Sequence, residues 1–242
     1  MEYMDLLSKL GVASAHPGGF RATKRLLEKG LQSAGLHVLE VGCGTGKSAC
    51  YLAQQGFRVT ALDQHPLMLH KAKQRAEKEG IGGIEWVLGS VHDLPFGDAA
   101  FDVVFAESVT LFAGLEPSLR EYYRVLKPGG RLLDREMVLH EELPETIYEE
   151  IKSYFRIDKI HTVDEWLECL HRTGFRCERP ELDAFVSHEQ SVEQNDIKEM
   201  DISLLWDPEV GEGILKYSEL MLAQQPYFRA CDFMATKEQW AH

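Results

Sequence analysis

Apolar residues in this chain gather into short unbroken runs, and several of those runs end on an acid. Val38-Leu39-Glu40-Val41 and Val59-Thr60-Ala61-Leu62-Asp63 read as strands buried on both faces, the pattern of a parallel sheet. The apolar run after the Pro128-Gly129-Gly130 turn predicts a further strand. Helix-compatible stretches lie between them. Lys47 to Gln55 follows the first strand, and His70 to Glu79 alternates charge sign within a few residues, as a solvated helix face does. Strands alternating with helices predict a doubly wound α/β sheet.

Candidate chemistry starts where the first strand ends. Glu40-Val41-Gly42-Cys43-Gly44-Thr45-Gly46 places three glycines in alternate positions ahead of a helix N-terminus, where bare backbone can approach a ligand. Spacing separates the ligand classes. A phosphate-binding loop needs a glycine at position 41, which is Val41, and a dinucleotide fingerprint needs one at position 47, which is Lys47. Asp63, at the end of the second strand, faces the same crevice in a doubly wound sheet, so its carboxylate can accept from ribose hydroxyls. It can equally cap the helix that begins near His65-Pro66, and its two oxygens allow both.

Two later segments complete the pattern. Gly89-Ser90-Val91-His92-Asp93-Leu94-Pro95-Phe96 is similar to a "GDAxxLPF" segment, and Leu126-Lys127-Pro128-Gly129-Gly130-Arg131-Leu132 to "LKPGGxL". With the glycine turn and Asp63 they cover residues 38 to 133, and the ordered set resembles the class I S-adenosylmethionine-dependent methyltransferases of type 11, the ubiquinone and menaquinone C-methyltransferase-like group. The resemblance implies a seven-stranded, mostly parallel Rossmann-like sheet and S-adenosyl-L-methionine as cofactor. It implies cofactor contacts at Glu40, Gly42, Cys43, Gly44, Gly46, Asp63, Gln64, Ser90, Val91 and Glu107. Ser90 departs from the family, which usually has an acid there to accept from the adenine amino group. A serine accepts without the charge, at a cost on the order of 1 kcal/mol, and Asp93 is a displaced acid or a turn former.

The remaining elements flank that core. Leu143, Ile147, Ile151, Tyr154 and Phe155 recur at helical spacing within Glu141 to Phe155. Thr162 and Glu165 form a capping box and Gly174 a C-cap, predicting a helix from Val163 to Thr173. The family pattern then closes the sheet with a hairpin, here Arg176 to Glu181 and Phe228 to Thr236. About 45 residues separate the two, far more than a hairpin needs. Their apolar content predicts two helices, either packing on the sheet or forming a lid. At the other end, Gly11 to Phe20 is a turn-rich loop leading into a helix from Phe20 to Ser33, and related methyltransferases carry a similar His-Pro-Gly-Gly loop. The expected layout is a single methyltransferase domain over 1–242. It comprises an N-terminal cap segment (1–35), a core (36–180), a helical insertion (181–226) and a last strand with tail (227–242).

Composition adjusts the picture in small ways. The chain has 242 residues, 44% of them hydrophobic, enough for one good core. It contains no run of 18 apolar residues and starts on an acidic Met1-Glu2-Tyr3-Met4-Asp5, so neither a membrane span nor a signal peptide is expected, and cytoplasm is the default. Five cysteines without a C-x-x-C pair and ten histidines without metal-ligand spacing give no ground for a disulfide framework or a metal. A net charge of −13 opposes binding of a polyanion. A small-molecule methyl acceptor is expected, with RNA or protein methylation demoted; a cofactor-binding protein without transfer activity is the other class. The oligomeric state is not legible.

The mechanism implied is an in-line displacement, in which positioning alone supplies roughly 7 to 11 kcal/mol. Candidate bases are His16, His140 and Glu107, with Glu107 also placed to meet the methionine moiety.

Overall fold

The computed structural model describes residues 2–13, 16–184, 201–222 and 225–238. Eight strands form one sheet: β1 (His37–Val41), β2 (Arg58–Asp63), β3 (Ile84–Leu88), β4 (Phe101–Glu107), β5 (Leu126–Leu139), β6 (Phe175–Cys177), β7 (Leu182–Ala184) and β8 (Phe228–Lys237). Their order is β3-β2-β1-β4-β5-β8-β6, with β7 also paired to β8. The first five strands are parallel, and β8 runs antiparallel to β5, β6 and β7.

The buried runs behave as a two-sided parallel sheet requires. Successive side chains alternate faces, so Leu39, Val104 and Leu132 pack in one core layer with Leu119, Tyr122 and Trp166. Val38, Val103 and Leu133 pack in the other with Leu26, Leu52 and Leu69. The helices supplying those layers are α2 (Gly19–Gly30), α3 (Lys47–Gln54), α4 (Pro66–Glu79), α5 (Thr110–Ala113), α6 (Leu115–Val125) and α8 (Val163–Thr173). In α8 the Thr162 hydroxyl accepts from Glu165 N–H at 3.3 Å, and the Glu165 carboxylate accepts from Thr162 N–H at 3.0 Å. Gly174 closes the helix in the left-handed region.

A further layer crosses the carboxyl ends of the strands. It is made of α1 (Tyr3–Leu10), α7 (Glu145–Phe155) and α9 (Pro208–Leu222). Tyr3, Met137, Ile151, Phe155, Leu220, Met221 and Phe228 pack there as one cluster. From α4, Lys71 donates to the carbonyls of Ser8 and Lys9 at 2.8 and 2.7 Å, which satisfies the C-terminus of α1 and ties the cap to the core.

Several expected boundaries shift. The helix predicted over 141–155 begins at Glu145, because Pro144 fixes its entry, and the helix predicted to Ser33 ends at Gly30. The strand expected over 176–181 is only Phe175–Cys177. β8 is long enough to pair separately with β6 near its end and with β7 near its start. The 181–226 stretch therefore contributes β7, a short 3-10 turn (Ile202–Trp206) and α9. The first part of the expected pair of helices falls outside the described residues.

Candidate active site

The carboxyl ends of β1, β2 and β4 open on one pocket of about 200 Å³. That is where ligands sit in an open α/β sheet. Its wall carries Glu40, Gly42, Cys43, Gly44, Asp63, Gln64, Val91, Glu107 and His16, so nine of the residues singled out from the sequence converge there.

The three glycines divide by role. All lie in the left-handed region, with φ of 66°, 52° and 77° at Gly42, Gly44 and Gly46. A side chain at Gly44 would meet nothing within 4 Å, so this position faces the cavity. At Gly42 a Cβ would press on Val109 at 2.4 Å. Gly46 is not on the pocket wall, and its missing Cβ lets α3 close onto Ala72 (2.8 Å) and the Trp86 ring (2.9 Å).

Asp63 locks this turn to the next strand. Its Oδ2 accepts from Gly44 N–H and its Oδ1 from His65 N–H, each at 2.8 Å. Each oxygen keeps a further lone pair, and the side chain still lines the pocket. Burial pushes its carboxyl up, against the pull of those backbone donors.

Two more acids face the cavity. Glu40 is 5% exposed and its Oε2 has no hydrogen-bond partner among the described residues. Burial, with Glu107 and Asp63 nearby, holds its carboxyl well above the usual range. Glu107 is pushed up to about 8 by burial, although hydrogen bonds from Thr23 and Ser48 and the charge of Arg135 pull it down. The Thr23 hydroxyl donates to Glu107 Oε1 at 2.8 Å and the Ser48 hydroxyl to Oε2 at 3.3 Å. With its proton given to Glu107, the Thr23 oxygen accepts from His16 Nε2 at 3.2 Å, and Nε2 stands 3.5 Å from Glu107 Oε1. His16, Thr23 and Glu107 thus form a buried polar chain on the wall.

Arg135 holds the loop that carries His16. It is 1% exposed, donates to the Pro17 carbonyl at 2.8 Å, and pairs with Asp232 and Asp183. Ser108, whose N–H donates to the Arg135 carbonyl, adopts φ 52°, a strained value for a residue with a Cβ, and it too lines the pocket.

Two other predicted residues stand elsewhere. The Ser90 hydroxyl accepts from His92 N–H at 3.3 Å in a local turn; Ser90 is not on the pocket wall, which Val91 and His92 reach instead. Asp93 bridges back to Ser90 through its backbone and is exposed, the turn-forming role. His140 is exposed at the end of β5, its N–H bonded to the Tyr227 carbonyl, and it lines neither this pocket nor the recess beside it. A strand-end position does not reach the crevice when the strand runs well past it, and β5 extends to Leu139.

Of the N-terminal segment, sequence reasoning singled out His16 and none of the residues of α1. Tyr3, Met4 and Leu7 of α1, with Val12, Met68 and Phe112, enclose the pocket from the cap side. The signal was present at Tyr3, Leu6, Leu7 and Leu10, a helical repeat in the first ten residues. Among the described residues no group of three metal-ligating side chains is placed to hold an ion, and no helix is long and apolar enough to cross a membrane.

The fold and this pocket define a doubly wound enzyme with a nucleoside-type ligand at the switch of its strand order. A family model for a methyltransferase domain matches residues 39–134. An uncharacterized methyltransferase of Bacillus subtilis is 34% identical over 235 residues, spanning 97% of this chain and 99% of that protein. The malonyl-[acyl-carrier protein] O-methyltransferase of Serratia marcescens is 36% identical over 141 residues, 53% of each chain. Among solved structures, Haemonchus contortus phosphoethanolamine N-methyltransferase 2 in complex with S-adenosyl-L-methionine superposes with a TM-score of 0.75. It has 21% identity over 98% of this chain and 56% of that one, a likeness of fold. The chain belongs to the class I S-adenosylmethionine-dependent methyltransferases, type 11. It is an enzyme of methyl transfer, and S-adenosyl-L-methionine is its cofactor.

The residues present fit that cofactor. Open space over Gly44 admits a ligand tail, the unpartnered Glu40 Oε2 offers an acceptor for an amino group, and Asp63 has lone pairs left for hydroxyls.

Proposed function

We propose that the chain methylates a small organic acceptor, holding the cofactor along the Gly42 to Gly44 turn and the acceptor under the cap made by α1 and α9. The observation that carries this reading is the unpartnered, buried Glu40 Oε2 beside the open space over Gly44. A buried acceptor oxygen left without a donor costs about 1 to 3 kcal/mol, so its persistence on a pocket wall argues for a ligand donor.

On this reading Glu40 and Glu107 receive the methionine end, Asp63 and Gln64 the ribose, and Val91 with His92 the adenine. When bound, the sulfonium supplies an already activated methyl group. The chain's own residues do the rest. Cys43 and Gly44 keep the turn thin, Asp63 fixes its shape, and the cap helices exclude water from the reacting atoms. Of the candidate bases we keep His16, which lines the pocket, and set His140 aside. We read the N-terminal segment and the 181–226 stretch as cap units of one domain. The net charge of −13 argues for an uncharged or cationic metabolite over a nucleic acid. Five buried free cysteines suit a reducing cytoplasm.

The test is turnover of S-adenosylmethionine to S-adenosylhomocysteine against fractionated metabolite extract. Product formation that depends on a low-molecular-weight fraction is expected; dependence on RNA or protein fractions alone would overturn the small-acceptor reading.

A further inference from the structure

Beyond the cofactor-side pocket lies a second, smaller and more open recess, and Tyr3, His16, Ser108 and Phe112 belong to the walls of both. The two spaces are therefore neighbours across one partition, with His16 on it. Deeper in, the walls are Leu111, Met137, Phe155, Tyr217 and Met221.

This recess is aromatic. The Tyr3 ring meets Phe155 edge-on at 4.7 Å and stacks with Tyr217 at 5.5 Å and Phe112 at 6.0 Å. Such rings favour a flat apolar guest offering its edge or face. Charge decides among acceptor classes. Among the described residues no carboxylate, ammonium or guanidinium lines the recess. Two arginines stand near it and both are engaged: Arg135 with Pro17, Asp183 and Asp232, and Arg156, next to Phe155, with Glu2. A carboxylate acceptor would find no cation there, and an ammonium acceptor no anion. A neutral acceptor leaves nothing unpaired, and the imidazole on the partition can accept a proton.

Resting on the cofactor placement of the preceding section, we propose that the recess is the acceptor site. Its ligand is an uncharged, planar, mostly apolar compound bearing one acidic hydroxyl, a phenol or enol, and the reaction is O-methylation with His16 as base. The acceptor O–H bond breaks, its proton passing to His16. The oxygen's electron pair forms the new bond to the methyl carbon as the carbon–sulfur bond breaks, and that pair stays on sulfur. Methyl ether, thioether and one proton, released from His16 to water, balance the step. Thr23 and Glu107 are positioning residues, since they orient the imidazole through the chain described above.

The experiment uses the full chain saturated with S-adenosylhomocysteine and titrates two probes, 2-naphthol and choline. The naphthol is expected to bind and choline not to. Tyr217→Ala should weaken the naphthol at least about tenfold by removing a ring of the recess, and Leu111→Trp should block it from the opposite wall. S-adenosylhomocysteine affinity should hold in both, which also verifies folding. With S-adenosylmethionine, wild type should form the naphthyl methyl ether, and His16→Gln should lower kcat about 100-fold while moving KM less than about threefold. Choline binding in preference to naphthol, naphthol affinity indifferent to both wall variants, naphthol bound without ether formation, or unchanged kcat in His16→Gln would each overturn the proposal. Wild type that fails to bind S-adenosylhomocysteine overturns the cofactor placement first; wild type that binds it and refuses naphthol overturns this proposal alone.

Discussion

The two walls of the pocket are built in opposite ways. The cofactor-side wall comes from three neighbouring strand ends, and its geometry is set within a few residues: Gly42 to Gly44 by left-handed backbone, Asp63 by hydrogen bonds to Gly44 and His65. The cap-side wall is assembled from α1, the 16–18 loop, α5, α7 and α9, segments as far apart in the chain as Tyr3 and Met221, held by ring packing and by Arg135. One wall is set by backbone geometry within the sheet, the other by side-chain packing of the cap. Cofactor binding and acceptor handling should therefore separate under mutation.

Arg135→Met gives the largest expected effect. Removing the buried guanidinium leaves half-buried Asp232 without its ion-pair partner and frees the Pro17 carbonyl, a loss of about 3 kcal/mol of stability. At a temperature where the variant is folded, turnover should fall steeply while S-adenosylmethionine affinity stays within about threefold, as read by calorimetry beside a thermal melt. An equal loss of both would join the two walls into one unit.

Asp63→Ala probes the other side. Losing charged hydrogen bonds worth about 1.5 to 3 kcal/mol each should weaken the cofactor at least about 100-fold with a smaller effect on the melt. Within the glycine turn, alanine at Gly44 or Gly46 meets the left-handed backbone at a cost of about 1 to 2 kcal/mol; beyond that, Gly44→Ala should act on binding, since its Cβ enters open space. Gly46→Ala should act mainly on stability, by about 1 to 3 kcal/mol, since its Cβ meets Ala72 and Trp86. Reversal of that pair would exchange their roles.

Glu107 adds a pH signature. Its folded-state value of about 8 lies above the ordinary 4.5, so between those limits the folded chain holds a proton that the unfolded chain has lost. Stability from this group is full below about pH 4.5 and falls as pH rises to about 8. Asp134, pushed up to about 7 by burial, acts in the same direction. Melting temperature followed from pH 5 to 8.5 should decline less in Glu107→Gln than in wild type; parallel curves would mean that Glu107 is ionised throughout. The smallest effect is expected at His140, where Ala should leave kcat and KM within about twofold because the ring is exposed and lines neither cavity.

The same contrast explains what could be read from the chain. The glycine turn, the acids ending β1, β2 and β4, and the α8 capping box are local rules written in adjacent residues, and all were legible. Gly46 and Ser90 were assigned to the ligand because spacing gives a residue's place in a turn and not the side it faces. The recess was not legible, since Tyr3, Phe155 and Tyr217 look like ordinary core positions until α1, α7 and α9 meet. β7 was missed because a three-residue strand carries no period; only the length of β8 makes room for it.

The central claim is that the Gly42 to Gly44 and Asp63 wall binds S-adenosylmethionine. Calorimetric titration of the wild-type chain with S-adenosylmethionine, repeated on Asp63→Ala, tests it most directly. Saturable one-to-one binding, weakened at least about 100-fold by the substitution, is expected. Absence of binding at millimolar cofactor, or equal affinity in the two proteins, would contradict it.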